Sequence, residues 1–148
     1  MPTLEITDEP TIHLRRLLEL IQGETVLRWS ILELWATAKD ATTDLLTMER
    51  LAAASPTGLM VGDSELRQIA SKLSQVIDGI FVGFRGDPPA RSATDLRAYA
   101  DVVIEAFDST YWRVHARHGP ALDGIRHAGY RMRELVPEPA IPATHRDT

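Results

Sequence analysis

The 148-residue chain contains no cysteine. This absence excludes disulfide bonds, thiolate metal sites and a cysteine nucleophile, and it fits a reducing compartment. Lysine is nearly as scarce, because only Lys39 and Lys72 are lysines among the 16 basic residues. That bias indicates a GC-rich genome rather than a function.

Long apolar runs are also missing. No segment is long and apolar enough to predict a membrane span, and the first ten residues lack the basic and apolar segments of a signal peptide. We therefore expect a cytoplasmic protein that does not bind a membrane. Its apolar content of 44% and charged content of 25% are ordinary for a globular domain.

No catalytic motif stands out. The serines have no nucleophile-elbow motif around them, and no glycine-rich loop suited to phosphate is present. His115 and His118 would share one face of a helix, but zinc needs three or four converging ligands. We therefore predict no catalytic residues, no metal and no cofactor.

The charge is unevenly distributed along the chain. The net charge is −5, yet residues 111–135 contain five arginines against Asp123 and Glu134, a local balance of +3. A basic stretch can contact nucleic acid. Because this one is small and lacks a nucleic-acid motif, we expect a solvated helix face and no nucleic-acid binding by the chain itself.

Two long segments have apolar residues in steps of three and four. They are Ser64–Phe84 and Ala93–Ala116, separated by Gly and Pro residues. This spacing predicts two helices, each with a wide apolar stripe. The predicted fold is therefore all-α, a helical bundle with a long antiparallel helix hairpin. We expect one domain over residues 1–135 and a flexible, proline-containing tail over 136–148.

Shorter segments complete the predicted bundle. Turn residues predict a loop at Ser55–Gly58. The Asp8-Glu9-Pro10 sequence predicts a helix start, and Gly23 predicts the end of the same helix. The apolar stripe of this helix is Leu14, Leu17, Leu18 and Ile21. The remaining predicted helices are Thr25–Lys39, Asp44–Ala54 and Pro120–Leu135.

A strand is the alternative for several of these segments. In residues 26–35, regular alternation would put Glu33 on the same face as Trp29 and Ile31, which argues against a strand there. Val and Ile residues are abundant in Ile77–Phe84 and Val102–Ala116, so strands at these two places would give an α+β fold instead.

Some local strings resemble the C-terminal regulatory domain of TetR-type (tetracycline-repressor family) regulators. Leu27–Asp40, with the sequence LRWSILELWATAKD, is similar to a long helix of that domain. Ala70–Gly86, with ASKLSQVIDGIFVGFRG, is similar to its penultimate major helix, and Asp95–Phe107 resembles the helix that completes the hairpin. The similarity covers roughly residues 12–110.

The chain departs from this family pattern at both ends. Family members begin with a helix-turn-helix DNA-binding domain, whereas Met1 here falls just before the first regulatory-type helix. The helix predicted after Gly119 is not an obligatory part of the pattern. The resemblance therefore implies a ligand-binding, dimerising helical domain and not a repressor.

Aromatic and sulfur-containing side chains suggest a pocket between helices, although filling the core is their usual use. Glu33 could bind a cationic ligand within such a pocket or point to solvent. The predicted ligand-binding residues are Trp29, Glu33, Trp35, Met48, Met60 and Phe81. The predicted interface of a homodimer is Val76, Ile80, Phe84, Tyr99, Val103 and Phe107.

Three functions are consistent with the sequence. The first is non-catalytic binding of an apolar small molecule or a protein partner by a regulator-like dimer. The second is an immunity or inhibitor protein whose acidic surface meets a basic target. The third is a small helical enzyme, which only Glu33 or the histidines could serve.

Overall fold

The computed structural model describes residues 1–7, 12–21, 26–40, 42–87 and 92–135. Its strands are β1 (Thr3–Ile6), β2 (Arg28–Ala38), β3 (Leu59–Gly62), β4 (Leu73–Phe84), β5 (Val102–Phe107), β6 (Tyr111–Ala116) and β7 (Met132–Leu135). Its helices are α1 (Leu14–Leu20), α2 (Leu45–Ala54), α3 (Asp63–Lys72), α4 (Ala93–Tyr99) and α5 (Asp123–Arg126), the last preceded by a 3-10 turn at Gly119–Leu122.

The seven strands form one sheet in the order β3-β2-β4-β5-β6-β1-β7. All neighbouring strands are antiparallel. The N-terminal strand β1 lies between β6 and β7, so the two ends of the described chain meet in the same part of the sheet.

One face of the sheet packs against the main core. Buried side chains of α1, α2, α3 and α5 belong to this core, together with Trp29, Phe81 and Trp112 from the strands. We call the opposite side the open face, because among the described helices only α4 packs there. The Leu96 side chain of α4 and the Val82, Phe84 and Val103 side chains of the sheet form a second, smaller core.

The all-α prediction is wrong, because the central architecture is an antiparallel sheet. The predicted long hairpin does not exist. Ser64–Phe84 divides into α3 and β4, and Ala93–Ala116 divides into α4, β5 and β6. Pro120–Leu135 divides into the 3-10 turn, α5 and β7. The α+β alternative, with strands near Ile77–Phe84 and within Val102–Ala116, is the one found.

The sequence of strand β4 predicted a helix because both faces of the strand are apolar. Phe81 points into the main core, whereas Ile80, Val82 and Phe84 lie on the open face near α4. A strand buried on both sides gives a nearly continuous apolar run, which also satisfies three- and four-residue spacing.

A β-bulge explains why Thr25–Lys39 was wrongly predicted as a helix. Ile31 pairs with Phe81 and Glu33 pairs with Ile80, so Leu32 is an extra residue on β2. The bulge reverses the alternation and places Glu33 on the open face, away from the buried Ile31. The conflict that regular alternation would create therefore does not arise.

Other local predictions are confirmed. Helix α1 buries Leu14, Leu17 and Leu18, and α2 spans nearly the whole of the predicted Asp44–Ala54 helix. A turn occupies Ser55–Gly58. The predicted helix start at 8–10, the helix end at Gly23 and the tail at 136–148 lie outside the described residues.

Three glycines provide a graded test of this fold. Gly58 has a φ of +73°, and a Cβ there would lie 2.3 Å from the carbonyl oxygen of Ile31. Gly129 has a φ of +86° but free space around its Cβ position, and Gly86 has free space without a positive φ.

Chemical denaturation should show that Gly58→Ala lowers the free energy of unfolding by about 3 kcal/mol, because backbone strain and steric overlap add. Gly129→Ala should lose about 1 kcal/mol, and Gly86→Ala nearly nothing. Equal losses at all three positions would contradict the β2–β3 arrangement.

Candidate functional site on the open face

A row of cross-strand neighbours crosses six strands of the open face. We call it the central row. Each member is directly opposite the next, in the order Glu33, Ile80, Glu105, Arg113, Glu5 and Arg133. Opposite charges alternate along its second half, which stabilises neighbouring strands.

Glu5 is at the centre of the charged half and is only 7% exposed. Arg113 Nε donates to Glu5 Oε2 at 3.0 Å, and Arg133 Nε donates to Glu5 Oε1 at 2.9 Å. Burial alone would raise the pKa of Glu5, but the two arginines outweigh it and lower this pKa. The carboxylate is therefore ionised and satisfied at both oxygens.

Glu105 is the second nearly buried carboxylate, 6% exposed. Arg97 Nη2, from α4, is 2.6 Å from Glu105 Oε2, and His115 Nε2 is 2.6 Å from Glu105 Oε1. Burial raises the pKa of Glu105, but hydrogen bonds from His115 and Arg97 reverse the direction and lower it overall. On its other side, His115 Nδ1 lies 2.8 Å from the Thr3 hydroxyl.

The β5–β6 hairpin turn is fixed to β4. Asp108 and Ser109 at its tip have φ values of 49° and 58°. Asp108 donates its backbone N–H to Asp78 Oδ1 at 2.8 Å, and Ser109 donates its N–H to the carbonyl of Ile77 at 2.9 Å. These bonds hold the turn against the sheet.

Two aromatic rings flank this turn. Phe107 and Tyr111 stack with their centroids 4.7 Å apart. The guanidinium of Arg113 lies 5.3 Å from the Phe107 centroid and 5.4 Å from that of Tyr111. Such distances give a favourable cation–π contact, so Arg113 joins the aromatic pair to Glu5.

Trp35 lies on the same face, directly opposite Asp78, and is 56% exposed. Glu33 is exposed beside it, and neither Glu33, Asp78 nor Asp108 has a cationic partner among the described side chains. We call these neighbours the acidic aromatic patch, consisting of Glu33, Trp35, Asp78, Phe107 and Asp108.

The predicted ligand-binding residues do not surround one pocket. Trp29 and Phe81 are in the main core, where Trp29 Nε1 donates to Asp63 Oδ1 at 3.1 Å. Met48 packs partly against that core from α2, and Met60 is exposed on the edge strand β3. The structure brings together only Glu33 and Trp35, on the open face.

The predicted dimer residues occupy different environments. Val76 is in the main core, whereas Phe84 and Val103 are buried beneath α4. Ile80 and Phe107 are half-buried on the open face, and Tyr99, on α4, is 62% exposed. Whether the chain dimerises stays a prediction, although these six residues do not form one accessible surface.

His115 and His118, which would share one face of a helix, do not share a face in the structure. His115 points to the open face from β6, whereas His118 follows the end of that strand and is exposed. Within the described residues no group of three or more His, Asp or Glu side chains is arranged to hold a metal ion. What the open face offers chemically is a hydroxyl, an imidazole and a carboxylate in series.

No protein-family model, curated protein or solved structure matches this chain. The described helices include none that is both long and apolar enough to cross a bilayer. The resemblance to TetR-type regulatory domains was based on helices at Leu27–Asp40 and Ala70–Gly86. The structure has strand over most of both segments, as β2 (Arg28–Ala38) and β4 (Leu73–Phe84).

The sequence analysis did not identify Thr3, Glu5, Glu105 or Arg113 as site residues. The available signal was alternation: Glu5 follows Leu4 and precedes Ile6, and Glu105 interrupts a run of Val, Ile and Ala. A carboxylate within a β-branched run is unusual enough to require a partner. The partners of Glu5 were not predictable, because Arg113 and Arg133 come from strands that are distant in the chain.

Stability should depend on acid pH through these two carboxylates. Because Glu5 and Glu105 have a lower pKa in the fold than the ordinary 4.5, they stabilise the fold above that value. The contribution is lost as the pH falls below it. Denaturation should show Glu105→Gln losing about 2 kcal/mol at pH 7, since two charged hydrogen bonds are weakened.

The loss caused by Glu105→Gln should shrink between pH 5 and pH 3, where the wild type loses the same contribution. Glu19→Gln is the matched control, because Glu19 is exposed on α1 and has no partner among the described residues. It should change stability little at either pH. A Glu105→Gln deficit that is independent of pH would contradict the charged network.

Proposed function

We propose that this protein binds a partner protein that presents a basic surface, and that the acidic aromatic patch is its binding site. This is the immunity or inhibitor type of function. The observation that carries the proposal is the exposed Trp35, which lies on strand β2 beside Glu33 and opposite Asp78.

The exposed indole supports an interface at this position. Tryptophan is enriched among residues that dominate protein–protein affinity, because its large surface is desolvated on binding. Strand β2 pairs with β4 before and after Trp35, with a register shift between Trp35 and Ala36, so the backbone at Trp35 is held within the sheet. A backbone that is already ordered lowers the entropy lost on association.

The charges of the patch support a basic partner. Glu5 and Glu105 are neutralised by arginines within the chain, whereas Glu33, Asp78 and Asp108 have no cation among the described residues. The net charge of −5 has the same sign. Opposite charge on a partner would speed encounter and fix its orientation.

The other functions receive less support. A small-molecule pocket would need the predicted lining residues on one surface, and they lie on both faces of the sheet. A two-fold contact between two copies of the patch would bring like carboxylates together. A reducing, cytoplasmic location remains part of the proposal because cysteine is absent.

A photo-crosslinking experiment can test the patch before the partner is known. A benzophenone amino acid is placed at position 35 or, as a control, at position 46, and the chain is expressed in its source cells. Leu46 is 55% exposed on α2, whose packing is on the other side of the sheet. Position 35 should crosslink one defined protein with a basic surface, and position 46 should not.

The purified partner then allows a quantitative test. Trp35→Ala should weaken its affinity about 30-fold, which corresponds to about 2 kcal/mol, whereas Leu46→Ala should have no effect. Glu33→Lys should lower the association rate constant, and the difference should fall as salt is added. Crosslinking through position 46 alone, at neither position, or only to a second copy would overturn the proposal.

A further inference from the structure

Three side chains of the open face form a hydrogen-bonded series outside the acidic aromatic patch. Thr3 on β1 is directly opposite His115 on β6, and its Oγ1 lies 2.8 Å from His115 Nδ1. On the far side of the ring, His115 Nε2 lies 2.6 Å from Glu105 Oε1. A hydroxyl, an imidazole and a carboxylate in this order are the arrangement that activates an alcohol for nucleophilic attack.

The position of the ring proton follows from Glu105. Its pKa is lowered, so this carboxylate is ionised and can only accept hydrogen bonds. His115 Nε2 must therefore carry a hydrogen toward Glu105. In the neutral ring Nδ1 is then the acceptor, and it faces the Thr3 hydroxyl. This is the tautomer that a general base requires.

Protonation of His115 would reverse the direction of the hydrogen bond between Thr3 and His115. A protonated His115 donates from both ring nitrogens, so Thr3 becomes an acceptor from Nδ1. The hydroxyl then donates to the carbonyl of Met1, which lies 3.2 Å away. The hydroxyl proton of Thr3 would then have no base to receive it, so only the neutral ring of His115 can activate Thr3.

The three side chains of the series differ in their exposure to solvent. Thr3 is half-buried, and the His115 side chain is 24% exposed, so both can be reached from outside. Glu105 is shielded and is also held by Arg97 from α4. The carboxylate therefore has a fixed position behind the ring, as a positioning residue must.

We propose that Thr3 is a nucleophile, that His115 is its general base, and that Glu105 positions the ring. The proposed substrates are small acyl esters with a good leaving group. This activity is additional to partner binding and does not depend on it, because none of the three residues belongs to the acidic aromatic patch.

The proposed reaction has two steps. Thr3 Oγ1 forms a bond to the acyl carbon, His115 Nδ1 takes the hydroxyl proton, and the bond from the acyl carbon to the leaving oxygen breaks. His115 passes this proton to the leaving oxygen, or to solvent where the leaving group departs as its anion, and is neutral again. Water then attacks the acyl carbon of the acyl-threonine while His115 Nδ1 takes a proton from the water. The bond from the acyl carbon to Thr3 Oγ1 breaks, the carboxylic acid is released, and His115 returns the proton to Thr3 Oγ1.

The test uses p-nitrophenyl acetate and the full chain near pH 8. Fragmentation mass spectrometry should find the acetyl group on Thr3, and p-nitrophenolate absorbance gives the rate. His115→Gln should lower the Thr3 acylation rate at least about 100-fold, because the hydroxyl then has no general base.

Matched variants separate activation from folding. Thr3→Val keeps the shape and should abolish acylation at position 3, whereas Thr3→Ser should retain it. His118→Gln changes an exposed histidine outside the series and should leave the rate unaltered. Circular dichroism and melting temperature check that each variant folds. Acetyl groups confined to Lys39, Lys72 or the N-terminal amine would overturn the proposal, as would Thr3 acylation that His115→Gln leaves unchanged.

Discussion

The open face depends on the neutralisation of two nearly buried carboxylates. Glu5 and Glu105 lie on a sheet surface, and an unpaired charge there would strongly destabilise the fold. Each is matched at both oxygens by side chains from neighbouring elements. The requirement joins β1, β5, β6, β7 and α4, so the position of the N-terminal strand is set by charge as well as by its buried Leu4 and Ile6.

The two ends of the central row have different consequences. At the β7 end each acid has a basic neighbour, and the charges are satisfied within the chain. At the β2 end the row finishes with Glu33, next to the exposed Trp35. Paired charges stabilise the sheet and leave little for a partner, whereas the Glu33 carboxylate has no cationic partner among the described residues and can meet one from outside. This contrast is why we assign binding to the β2 end.

The sequence predicted the isolated helices correctly and the sheet incorrectly. Helices α1 and α2 have one apolar face and cap or turn residues nearby, so local pattern was sufficient. Strands β2 and β4 failed for identifiable reasons: an extra residue at Leu32 reversed alternation, and β4 is apolar on both faces. Glu33 and Trp35, two of the predicted ligand-binding residues, lie next to each other on the open face, and their role in binding stays a prediction. Thr3, Glu105 and His115 were not predictable as a group, because strand order determines which of them meet.

Arg113 connects the acidic aromatic patch with the charged interior of the open face. Its guanidinium donates to Glu5 and also lies over the rings of Phe107 and Tyr111. Arg133 shares Glu5 but contacts no aromatic ring in the described part of the chain, and it is the more exposed of the two arginines. A lysine at position 113 would keep the charge but lose the planar group that can bond and stack together. The arginine is therefore explained by geometry as well as by charge, and the hairpin that carries Phe107 is held to β1 through it.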